Sequence, residues 1–74
     1  MLRLLAELGA NVETPNNNGA TPVFIAAQKG HAEVVRVLAE LGANVETPDN
    51  DGYTPVSIAA HFGQPEVVGV LAEL

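Results

Sequence analysis

The side chains here with an active-site repertoire are a few carboxylates and two imidazoles. Glu33 and Glu40, like Glu66 and Glu73, stand two helical turns apart, a spacing that puts each pair on one helix face and could suit acid–base work. Both pairs recur with the same period along the chain, however, and no nucleophile, base and orienting group accompany them. Solvated helix faces account for them, and no catalytic residue is assigned. His31 and His61 are the only imidazoles, with no second ligand at metal spacing. Glu46, Asp49 and Asp51 cluster around a tight turn. A calcium loop of the EF-hand type needs a longer ligand series ending in a bidentate glutamate, so no metal and no cofactor is expected. Neither cysteine nor an N-x-S/T acceptor occurs. The lack of cysteine fits a reducing compartment, and a location inside the cell is the expectation.

Whatever the chain does, its charge restricts the partners. A net charge of -6 and a pI near 4.5 disfavour nucleic-acid backbones and anionic membrane surfaces. Apolar runs fall far short of the ~20 residues that span a bilayer. The opening MLRLLAEL is too short for a signal peptide. At 74 residues the chain is one domain at most, with a marginal core.

Its organisation comes from repetition. Shifting the chain by 33 residues aligns 1–41 with 34–74, and about 29 of the 41 pairs are identical. LAELGANVETP at Leu5–Pro15 returns at Leu38–Pro48, and LAEL recurs at the end. Thr21-Pro22 and Thr54-Pro55 predict an N-cap with proline at the first helical position. Gly30 and Gly63 close these short helices as left-handed C-caps. A second helix follows each. In the first copy Val34, Val35, Val37, Leu38 and Leu41 form its apolar stripe, with Glu33, Arg36 and Glu40 on the wet side, and Gly42 ends it. Pro15 and Pro48 exclude helix between the pairs, where Asn18-Gly19 and Asp51-Gly52 predict turns. Ala26-Ala27 and Ala59-Ala60 slim the first helices for close approach. One helix pair cannot bury both its faces, so the copies must stack.

NNNGATPVFIAAQKGHAEVVRVLAELGA and DNDGYTPVSIAAHFGQPEVVGVLAEL resemble ankyrin repeats in period, T-P and A-A, and the first copy also carries G-H and the closing G-A; the resemblance covers essentially the whole chain. The resemblance implies an all-α solenoid of stacked helix-turn-helix pairs with β-turn or hairpin fingers. Residues 1–15 would be the C-terminal half of a repeat, 16–48 a complete repeat, and 49–74 a repeat lacking its last loop. Phe24 and Ser57 replace the histidine usual in the family after T-P-L, so the hydrogen bonds of that histidine are not carried over. Gln64 replaces the histidine of G-H, and Gly69 stands mid-helix where Arg36 stands one period earlier. Gly69 costs about 1 kcal/mol relative to alanine and makes the last helix the softest. Neither end carries a visible cap, and Leu2, Leu4, Leu5 and Leu8 lack a partner helix. The chain is then a fragment of a longer array, a unit that stacks end to end on its own copies, or both.

Identity between copies serves the stack, so the differences point elsewhere. Between 16–41 and 49–74 they are Asn16/Asp49, Asn18/Asp51, Ala20/Tyr53, Phe24/Ser57, Gln28/His61, Lys29/Phe62, His31/Gln64, Ala32/Pro65 and Arg36/Gly69. By motif position, the family's concave binding surface maps onto Asn17, Asn18, Ala20, Gln28 and Lys29, then Asn50, Asp51, Tyr53, His61 and Phe62. The implied function is non-catalytic binding of a protein partner, with Tyr53 and Phe62 as anchors and Asp51, Lys29 and His61 supplying polar selectivity. Alternatively, Phe62 folds onto its own helix end and Tyr53 onto the adjacent turn. A second function of a different class is structural, a unit that forms an end-to-end homo-oligomer.

Overall fold

The computed structural model describes residues 12–74. Four helices follow one another: α1 (Pro22–Lys29), α2 (Ala32–Glu40), α3 (Pro55–His61) and α4 (Pro65–Glu73), with no strand among the described residues. The leucines at 2, 4, 5 and 8, and with them residues 1–11 of the half repeat expected over 1–15, lie outside the described residues.

The helix starts obey the threonine–proline signal. Thr21 and Thr54 are extended, each hydroxyl accepts from a backbone N–H three residues on (Phe24 and Ser57, both 3.3 Å), and proline opens the helix. Ser57 adds a reciprocal bond, its Oγ accepting from the Thr54 N–H at 2.8 Å. The second copy therefore has a complete capping box at the position where the family's histidine is missing. Phe24 takes the opposite course and turns inward, only 4% exposed. It belongs to the core and corrects the expectation that the stack leaves this position open.

Stacking pairs like with like. α1 packs on α3 and α2 on α4, while α1–α2 and α3–α4 close each copy. Ala26, Ala27 and Ala59 are buried between the first helices, as small residues at a close approach should be. In α2 the buried residues are Val35 and Leu38, whereas in α4 they are Val67 and Val70, the counterparts of Val34 and Val37. Each helix of this pair thus buries the flank that faces the other copy. The two remaining valines of α2 and Val68 and Leu71 of α4 are only partly buried.

Polar contacts fix the register between copies. The Gln64 Nε2 donates to the Gln28 carbonyl at 3.0 Å, and the Asn50 N–H donates to the Asn18 carbonyl at 2.9 Å. Asn50 Nδ2 adds a bond to the Asn17 carbonyl at 3.3 Å. The Glu13 carboxylate accepts from the Asn44 N–H. Arg36 reaches Glu73 at 3.2 Å, but both side chains are exposed and such a pair contributes little. The fingers lie so close that a Cβ on Gly19 would sit 2.9 Å from the Asn50 backbone nitrogen.

Gly69 continues α4 without a break, and no atom lies within 4 Å of where its Cβ would be. Gly69→Ala is therefore expected to stabilise the chain by about 0.5–1 kcal/mol through helix propensity alone. Thermal unfolding followed by circular dichroism checks this, and an unchanged or lower midpoint would show that α4 is not helical there.

Candidate protein-binding groove

Each finger is a turn closed around one short polar side chain. Asn16 Oδ1 accepts from the Asn18 and Ala20 N–H groups at 2.9 and 3.0 Å. Asp49 Oδ1 accepts from those of Asp51 and Tyr53 at 3.0 and 2.9 Å. The Asn16/Asp49 difference is thus a change of charge on a conserved piece of turn geometry, since both residues offer the same acceptor. Backbone bonds from Asn16 to Ala20 and from Asp49 to Tyr53, both 2.9 Å, complete the two turns.

Beyond the turns, the finger tips and the first helices enclose a groove of about 420 Å³. Asn16, Asn18, Asp49 and Asp51 form its finger side, with Tyr53 beside them. Phe24, Ile25 and Ile58 supply apolar floor, and Gln28, His61 and Phe62 line the end where α1 and α3 finish. Tyr53 is 40% exposed and Phe62 51%. The three rings adjoin: Tyr53 and His61 have centroids 6.0 Å apart, and Phe62 meets His61 edge-on at 5.0 Å. The rings associate with one another and still present open faces.

Of the residues assigned from the sequence, Asn18, Ala20, Gln28, Asp51, Tyr53, His61 and Phe62 all line this one groove. Ala20 does so from a buried position, 6% exposed, so it offers wall rather than reach. Lys29 is not on the groove wall. It is exposed in the last turn of α1, where its charge suits the helix dipole. The Asn50 amide is committed to the neighbouring finger. Sequence reasoning did not assign Asn16, Phe24, Ile25, Asp49 or Ile58 to the site. Asn16, Phe24 and Asp49 were visible as differences between copies, whereas Ile25 and Ile58 are identical and gave no signal. His31, expected to have a structural role at a helix start, occupies the N-cap of α2 without a side-chain cap bond and is exposed. No group of three or more His, Cys, Asp or Glu side chains among the described residues could hold a metal ion.

Paired helices stacked like with like, turn fingers and a groove across them define a class of helical repeat proteins built for surface contact. The family model for ankyrin repeats in three copies matches residues 1–74, and the chain belongs to that family. Ankyrin repeats are generally protein–protein interaction modules and are typically non-catalytic. No curated protein matches the chain.

Proposed function

We propose that the groove between the fingers and the first helices is a binding surface for a protein partner, with Tyr53 and Phe62 as anchors. One observation carries the reading: the differing pairs Asn16/Asp49, Asn18/Asp51, Ala20/Tyr53 and Gln28/His61 line a single groove with both members, and Tyr53 and Phe62 are exposed there. Variation alone does not mark the surface, since Phe24 and Gln64 vary and serve the stack; variation joined to exposure does, as at Asp51, Tyr53, His61 and Phe62. The rings bring large apolar area at small conformational cost, and the finger tips bring hydrogen-bonding groups already held by the Asx turns.

The test takes a protein ligand selected from a display library against this chain. Tyr53→Ala and Phe62→Ala are each expected to weaken it about ten-fold by calorimetry, with circular dichroism unchanged. Equal affinity in both variants with an intact fold would remove the groove from the site.

A second reading, self-association, has its own support. Val23 is 0% exposed beneath the second copy, whereas its counterpart Val56 is 45% exposed on the far side. With Leu71 and Leu74 it lines an apolar hollow on the C-terminal face. A second copy of this chain is the proposed occupant of this face, since within the chain it is a copy of the same helix pair that covers Val23. Sedimentation over a wide concentration series should show association that Val56→Glu abolishes. A monomer at every concentration would dismiss this reading.

A further inference from the structure

The groove carries charge of one sign. Among its lining residues Asp49 and Asp51 are the formally charged groups, and neither lysine nor arginine is present. Both turn bonds of Asp49 fall on Oδ1, so its second carboxylate oxygen is left to meet a donor. Asp51 is exposed at the finger tip. The same groove holds the rings of Tyr53, His61 and Phe62 within 6.0 Å of their neighbours. Of the two cations among the described residues, Lys29 lies off the groove wall and Arg36 is paired with Glu73. The chain as a whole is at -6, so its long-range field also draws positive charge.

Carboxylates beside exposed ring faces are the two elements that hold a guanidinium or ammonium group. The carboxylate accepts its hydrogen bonds, and the ring quadrupole attracts its charge where water is partly excluded. We propose that the partner of this groove is a basic protein segment, which places an arginine or lysine over the Tyr53–His61–Phe62 rings with its charge toward Asp49 and Asp51. An adjacent apolar side chain of the segment lies on Phe24, Ile25 and Ile58. The inference rests on the reading of the groove as a partner surface and adds the chemistry of what it takes. The first copy marks what is special here. At the positions of Asp51, Tyr53, His61 and Phe62 it carries Asn18, Ala20, Gln28 and Lys29, a set with no acid and no ring.

Amide-resolved NMR titration with three synthetic peptides separates the two claims. The peptides share one sequence around a central leucine and differ only at two flanking positions, which are arginine, glutamine or glutamate. The arginine peptide is expected to shift the amide signals of Asp51, Tyr53, His61 and Phe62 and to bind about two- to five-fold tighter than the glutamine peptide for each contact made. The glutamate peptide is expected to leave the groove signals unmoved. Added salt should erase much of the difference. Asp51→Asn, which restores the residue of the first copy, should reduce the arginine preference without changing the fold. Equal or tighter groove binding by the glutamine or glutamate peptide would overturn the basic-segment proposal and leave the groove as the site. Groove signals that move for none of the three peptides would overturn the proposal, and shifts confined to the outer helix faces around Glu33 and Glu66 would overturn the groove reading with it.

Discussion

Leu38→Ala is expected to lower the melting temperature by roughly 10–30 °C, because this side chain is fully buried in the helix that packs on α4. Leu38 is 1% exposed and is among the largest fully buried of the described residues. Truncating a leucine in such a place costs about 2–4 kcal/mol, from lost burial and the cavity left behind. A chain of this size has on the order of 5 kcal/mol to lose. The matched control is Leu71→Ala, the same residue one period later. Leu71 is only partly buried, and its truncation should cost about half as much or less. Thermal unfolding by circular dichroism reads both. Equal losses would mean that the two helices do not stack as described.

Gly30→Ala is expected to cost about 2–3 kcal/mol, from two separable sources. Gly30 closes α1 in the left-handed region at φ +80°, which an L side chain pays about 1–2 kcal/mol to enter. An added Cβ would also lie 2.6 Å from Gln64 Oε1. The Gln64 side chain would have to move and give up its bond to the Gln28 carbonyl, which is worth about 1 kcal/mol. Gly63→Ala is the control, since Gly63 is also left-handed at φ +67° but has nothing within 4 Å of its Cβ. It should show the backbone part alone. In a Gln64→Ala background the cost of Gly30→Ala should fall to the same level, and a double-mutant cycle of unfolding free energies measures that coupling. No coupling would mean that Gln64 does not clamp the two copies.

The sequence made the elements legible because their signals are local. Threonine–proline starts, glycine ends and apolar stripes at helical spacing need only neighbours in the chain, and α1 to α4 follow them to within about a residue. What connects the copies was harder to see. Gln64 and Asn50 look like ordinary polar substitutions, and their partners lie 36 and 33 residues away. Only the stacked register brings them together. Burial was the least legible property, for the same reason. Val23 and Val56 are the same residue in the same motif, yet one is sealed and the other open, because a neighbour covers only the first. Phe24 and Ala20 were read as free because they vary, but a position can vary and still be covered. The groove residues came through well where variation coincided with exposure, as at Asp51, Tyr53, His61 and Phe62. The isoleucines of the groove floor, unvarying and apolar, are indistinguishable from core in any sequence.

Variation between copies that marks the partner surface is the claim on which the functional account rests, and one chimera tests it. Asp51→Asn, Tyr53→Ala, His61→Gln and Phe62→Lys together give the second copy the groove residues of the first, using only side chains this fold already carries at those positions. Helical signal and unfolding free energy should stay within about 1 kcal/mol of the parent. Affinity for a ligand selected against the parent should fall at least about a hundred-fold. Undiminished affinity in a chimera that folds normally would contradict the account.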